Sequence, residues 1–347
     1  MEIILMKSTI LMSDLHLTDK PEDRHRFNIF GIVREVSSKF SNYDLIILGD
    51  ITEKKDKHNS ELVNSILNHL FSLFDDGRLL SIKILTGNHD FIDRSRPYFT
   101  FLNHHTKIQF ITEPLVQHVA HSKETILYLP YSNNPMEEWK KFTGPYTYVF
   151  MHQSVQGGQT QSGYIIDTKL PATYFVKKAK KVYSGDLHVP QVIENITYVG
   201  APYHVYFGDI YTGRVLVLDQ KETSVQTGHR FPKKLHLIID NQDLSPLEVI
   251  QTGDQVKVTV RLDPIEFSNY KEIKEKIKKR VEVLVGHLFG IGMISTKQKT
   301  GIATSTMVVD KKGKRTPEEW VTVYAARQGL SLDQTNGAIK IIGGSYV

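Results

Sequence analysis

Apolar and polar positions alternate between two signatures over the first hundred residues. Residues 8–13 form a short apolar run that stops at Asp14. Residues 26–40 then carry Phe27, Phe30, Ile32, Val33 and Val36 at helical spacing. Residues 43–48 are almost continuously apolar, which suits a strand buried on both faces, and they stop at Gly49-Asp50. Helical spacing returns over 61–74 through Leu62, Ile66, Leu70 and Leu73. The next buried strand, 80–85, runs into Thr86-Gly87-Asn88-His89. This strand–helix–strand–helix–strand order predicts a layered α/β core.

After Pro97 the pattern becomes strand-rich, with apolar runs at 108–111, 125–129, 146–150, 181–183, 196–199 and 214–218. These predict a second sheet packed on the first, a two-sheet β-sandwich flanked by helices. Residues 241–253 are polar and turn-rich, which marks a domain boundary. Beyond it, 255–262 alternates as a strand through Val256, Val258 and Val260. An amphipathic helix over 268–284 has Ile273, Ile277, Val281 and Leu284 on one face and Lys271, Lys274, Lys278 and Lys279 on the other. The expected organisation is a large domain over 1–242, a small α+β accessory (capping) domain over 243–309, and a terminal linker and helix over 310–347. That last helix starts at Thr316-Pro317-Glu318-Glu319, carries Trp320 and Tyr324, and ends at Gly329.

The runs matter for what ends them. Asp14-Leu-His16, Gly49-Asp50, Gly87-Asn88-His89-Asp90, Met151-His152 and Gly185-Asp186-Leu187-His188 each close on a metal-ligand residue type. Any one alone is adequately explained as a turn or a cap. Together, at successive strand ends, they predict one pocket of carboxylates, an amide oxygen and imidazoles. Ligand sites in α/β sheets lie beyond the carboxyl ends of strands. Mixed oxygen and nitrogen donors without thiolate suit hard or borderline divalent cations. In Gly87-Asn88-His89-Asp90, glycine allows a sharp turn, Asn88 offers a neutral oxygen, His89 can face a substrate, and Asp90 is expected to fix the orientation of His89.

Bulk properties narrow the class. The chain has 347 residues and no cysteine, which excludes disulfides and thiolate metal sites. No apolar run is long enough to span a bilayer. The start is read as a first strand and not as a signal peptide. Cytoplasmic localisation is therefore expected. The net charge of +5 permits polyanion binding without establishing it.

Taken in order, the motifs resemble those of the calcineurin-like metallophosphoesterases, whose pattern runs D-x-H, GD, GNH(D/E), H and G-H-x-H. Residues 151–158 and 183–191, together with Tyr198-Val199-Gly200-Ala201-Pro202-Tyr203 and the following Phe207-Gly208-Asp209, narrow the resemblance to SbcD-type DNA repair nucleases. It covers about residues 8–240. It implies one metal on Asp14, His16, Asp50 and His188, and a second on Asp50, Asn88, His152 and residue 186, with Asp50 bridging. It implies His89 as general acid and manganese as the metal, with magnesium second. Residue 186 departs from the pattern, because the family usually has His there. Either Asp186 ligates the second ion and makes the site harder, or it points away and that ion binds weakly.

The resemblance further implies a DNA exonuclease and endonuclease subunit of a recombination and break-processing complex, phage-encoded members included. Its partners would be DNA (double-stranded ends, hairpins and single strands), an SMC-like ABC ATPase of SbcC type docked by the C-terminal helix, and a second copy of the chain through the helices at 26–40 and 61–74. Two alternatives stay open: a phosphatase or small-molecule phosphodiesterase on the same scaffold, and a non-catalytic end-binding subunit.

Overall fold

The structure is a computed structural model that describes residues 8–119, 123–240, 242–263, 266–284 and 286–295. The chain divides into two compact units, residues 1–297 and 298–347. The expected linker and helix over 310–347, with Trp320 and Tyr324, lie outside the described residues.

Strands β1 (Ser8–Met12), β2 (Tyr43–Ile47), β3 (Leu79–Leu85) and β4 (Ile108–Ile111) pair in parallel, in chain order. Helices α1 (Asn28–Ser37) and α2 (Ser60–Ser72) make the first two crossovers. The Asn59 side chain caps α2 by accepting from the Leu62 amide at 2.8 Å. The helix expected from residue 26 begins later: Pro21–Phe27 is a 3-10 segment, and Arg26 is buried.

The chain then builds a second sheet from β5 (Leu115–His118), β6 (Thr125–Leu129), β7 (Tyr146–His152), β8 (Ala179–Gly185), β9 (Gln191–Ile193) and β10 (Ile196–Tyr198). Its order is β5-β6-β7-β8-β10-β9, parallel from β6 to β10 with antiparallel edges. The short helix α3 (Pro135–Glu138) lies between β6 and β7. Strands β11 (Arg214–Leu218) and β12 (Glu222–Gln226) return to the first sheet, where β11 pairs antiparallel with β1. The runs at 108–111 and 214–218 therefore belong to the first sheet and not to the second. The result is a mixed α/β structure with two six-stranded mixed sheets and few helices.

Alternate residues on each central strand serve different layers, which explains the near-continuous apolar runs. Ile46, Leu48, Tyr128, Phe150 and Tyr183 form one buried cluster from both sheets. Leu45, Ile47, Ile82 and Ile84 pack instead with Phe30, Val33, Ile66 and Leu70 of α1 and α2. The flanking helices are one-sided. The other face of the second sheet, with Val149, Met151 and Val182, is covered by Trp139, Val155, Leu170 and Phe175.

A third sheet joins β13 (Lys234–Asp240), β14 (Gln255–Leu262) and β15 (His287–Ser295) in parallel. Helix α4 (Tyr270–Val283) covers one face, with Ile273, Ile277 and Val281 against Val256, Val258 and Val260. Because β13 belongs here, this layer begins at Lys234, upstream of the boundary expected at 242/243. Among the described residues no helix is long and apolar enough to cross a membrane.

Candidate metal centre

Each ligand candidate sits at the carboxyl end of a strand. Asp14 and His16 follow β1, Asp50 follows β2, Asn88 follows β3, His152 ends β7, and Asp186 and His188 follow β8. The loops after β1 and β2 are zipped together: the Asp14 amide donates to Gly49 O at 3.2 Å and the His16 amide to Asp50 O at 3.0 Å. Asp14, His16, Asp50 and Asp186 all have positive φ, at 54°, 42°, 54° and 78°. They are four of the six such non-glycine residues among the described residues. Each position costs roughly 1–3 kcal/mol and persists only where the surroundings over-determine it. Two motif glycines make room for this packing. A Cβ at Gly49 would lie 2.3 Å from His152 Nδ1, and one at Gly87 would lie 2.1 Å from Asp50 Oδ1.

The side chains converge. Asp14, His16, Asp50 and His152 are each at most 2% exposed, and His188 is 7% exposed. Asp50 presents one oxygen to each side: Oδ2 lies 3.6 Å from His16 Nε2, and Oδ1 lies 3.5 Å from His152 Nε2. On the first side, His16 Nε2 and His188 Nε2 are 3.1 Å apart, and His188 Nε2 is 4.0 Å from Asp14 Oδ1. On the second side, His152 Nε2 is 3.3 Å from Asn88 Oδ1 and 3.8 Å from Asp186 Oδ1.

The donor set fits cations. His152 Nδ1–H donates to the Leu48 carbonyl, which leaves the Nε2 lone pair facing Asp50. His16 Nδ1 lies 3.0 Å from Glu53 Oε2, which likewise turns Nε2 inward as an acceptor. The Asn88 amide oxygen lies 3.0 and 3.1 Å from the two Asp50 oxygens, acceptor against acceptors. Turning the amide over would relieve this contact, and so would a cation among the three. Two nitrogens at a right angle about one ion, each about 2.1 Å from it, are about 3 Å apart, close to the His16–His188 separation. Asp14-His16-His188 and Asp14-Asp50-His152 each bring one ligand atom per residue within 4.8 Å of the others. These buried groups can bind a metal ion.

Burial sets the protonation of the metal-free centre. It pushes the Asp14 carboxyl up to about 7, against the pull of His152. It raises Asp50 well above the usual carboxylate range, with Asp90 adding to the effect. It drives His16 down to about 4 and His188 well below its ordinary value, so both imidazoles are neutral at pH 7 and able to ligate.

The structure brings together Asp14, His16, Asp50, Asn88, His152, Asp186 and His188. Asp186 lies against His152, and its amide donates to Asp14 Oδ1 at 3.2 Å. His89 stands beside them, its ring 4.8 Å from that of His16. Asp90 is a correction. It does not orient His89; it accepts from the backbone amides of Asp50, Ile51 and Gly87 at 2.9, 3.0 and 2.7 Å. It thereby clamps the two ligand loops together. The His89 ring is held instead through Nδ1–H to the Glu53 carbonyl at 2.8 Å.

Two neighbours went unseen in the sequence. Glu53 supports His16 by its side chain and His89 by its backbone. Tyr206 stacks on His188 with ring centroids 5.4 Å apart, and its hydroxyl reaches Glu53 at 3.4 Å. Glu53 lies three residues past Asp50, a spacing that offered the only clue. No protein-family model matches the chain, and no curated protein matches it either.

Proposed function

We propose that this chain is a two-metal phosphodiesterase of the calcineurin-like fold that cleaves DNA, the nuclease subunit of an SbcCD-type break-processing complex. The observation that carries the reading is Asp50, whose two oxygens face two different imidazoles, Oδ2 toward His16 and Oδ1 toward His152. That is the arrangement a bridging carboxylate needs. A pair of divalent cations there would supply Lewis acidity to a phosphate diester and an activated water. We assign manganese first and magnesium second. Asp186, in place of histidine, makes the second set harder.

The chain's own residues account for the rest. Asp14, His16, Asp50 and His188 would hold the first ion, and Asp50, Asn88, His152 and Asp186 the second. His89 is half-buried at the margin of this cluster. Its Nδ1 is engaged by the Glu53 carbonyl, so Nε2 is the atom available to carry a proton to the leaving oxygen. Positioned general acids of this kind contribute about 10²–10⁴-fold. Parallel strand ends converging beneath buried backbone hydrogen bonds hold these groups in place before substrate arrives.

DNA is proposed as substrate on the motif resemblance together with the net charge of +5. An SbcC-type ATPase, a second copy of this chain through α1 and α2, and action in the cytoplasm, including that of a phage-infected host, complete the proposal. The test is a manganese-dependent nuclease assay on linear duplex and hairpin DNA. His89→Ser should lose about 10²–10⁴-fold in rate while retaining metal. Equal cleavage by both proteins removes His89 from the mechanism. Hydrolysis of small phosphodiesters with no gain from DNA length contradicts the substrate.

A further inference from the structure

Behind the first set of ligands runs a chain of buried charges that the proposed chemistry does not use. Arg26, Asp23 and Lys234 are 2%, 3% and 6% exposed. Lys234 Nζ lies 2.7 Å from Asp23 Oδ1, and Arg26 Nη2 lies 3.5 Å from Asp23 Oδ2. Arg26 then forks. Nη1 donates to the His16 carbonyl, and Nη2 donates to the Val205 carbonyl at 3.0 Å. Its guanidinium also sits over the Tyr203 ring, 5.6 Å from the centroid, and the Tyr203 hydroxyl donates to the Leu15 carbonyl. Two consecutive carbonyls of the Asp14–His16 loop are thus tied from behind, at a residue whose φ of 42° needs an outside restraint. Val205 precedes Tyr206, which stacks on His188. The far end of the chain, Lys234, opens β13, and Gln255 of β14 adds a second tie by donating to the Glu22 carbonyl at 2.7 Å.

We infer that Arg26 is a positioning residue for the ion held by Asp14, His16 and His188, and that Lys234 holds Arg26 in place through Asp23. The third sheet is thereby tied to one half of the metal centre. His152 and Asn88, on the other half, have no hydrogen bond to this chain of charges. The inference rests on the metal centre and is independent of DNA as substrate.

The test is manganese titration by calorimetry on the full chain, with His152→Ala as the background in which the first ion is read alone. Arg26→Lys keeps the charge but loses the planar fork that serves two carbonyls. It should weaken the first ion about 10–100-fold, the usual effect of losing an outer-shell partner, and leave the second within about threefold. Lys234→Met should shift the same ion in the same direction by less, and it serves as the second variant if Arg26→Lys fails to fold. Thermal melts of the metal-free variants check the fold. A loss shared equally by both ions, or no loss, overturns the inference. A wild-type protein that binds no manganese instead removes the metal centre itself.

Discussion

The candidate metal centre and the third sheet are built on opposite principles. The third sheet is regular apart from one register shift between Val256 and Lys257, where β14 pairs with β15. One face of β13, β14 and β15 packs on α4 through aliphatic side chains, and its polar face carries Lys257, Thr259 and Arg261. The metal centre concentrates what such a layer avoids: four strained backbones, buried carboxylates and facing acceptors. Its stability is supplied from elsewhere, by the core between the sheets and by backbone clamps such as Asp90. A cluster of this kind held at strand ends is therefore a local destabilisation that regular layers must offset. The two regions should respond to mutation in different currencies, one in stability and the other in metal.

The largest expected effect lies in the regular layer. Ile277 is fully buried between α4 and the third sheet. Ile277→Ala should cost about 2–5 kcal/mol in denaturant unfolding. Manganese stoichiometry measured well below the transition should stay unchanged. Loss of metal without loss of stability would break the contrast.

Asp186→Ala comes next. It should weaken only the second ion, by at least about 10–100-fold in titration calorimetry, while Asp186→His should restore affinity with less tolerance of magnesium. Full metal content and full rate in Asp186→Ala would show that this carboxylate is no ligand.

The effect of pH is graded, and its sign follows from burial. Asp14, raised to about 7, is protonated below that pH in the metal-free protein, so an ion must displace a proton. His16, lowered to about 4, is already neutral and adds none. Manganese affinity should fall at least about tenfold per unit as pH drops below about 7, with the raised Asp50 carboxyl adding a second proton to displace. For the metal-free fold the two groups oppose one another. The Asp14 contribution is present below its ordinary value of 3.8 and is lost as pH rises to about 7. The His16 contribution is present above 6.5 and is lost as pH falls to about 4. Metal-free stability should therefore vary less across this window than metal affinity does. An affinity that is pH-independent from 5 to 8 would contradict the raised carboxyl.

The contrast also explains what could be read from the sequence. Central strands declared themselves because both faces are buried, so residues such as 45–48 are apolar without a break. The candidate ligands declared themselves because each closes an apolar run. Strand β12, Glu222–Gln226, did not: it is an edge strand of mostly polar residues whose place is set by pairing with β11. Strand β15 is interrupted by Gly290 and Gly292, and β13 runs into a turn cluster that looked like a boundary. Sequence adjacency to His89 does not reveal the direction of Asp90, whose carboxylate turns to the backbone of its own loop and of the loop after β2. Glu53 and Tyr206 act through His16 and His188, and partners of that kind follow three-dimensional proximity that no motif encodes.

The most direct test of the central claim is anomalous diffraction from a crystal soaked in manganese. Two peaks about 3.5–4 Å apart, one on either side of Asp50, are predicted, the first against Asp14, His16 and His188 and the second against Asn88, His152 and Asp186. A map with no peak among these residues, or with a single peak that leaves one oxygen of Asp50 unused, would contradict it.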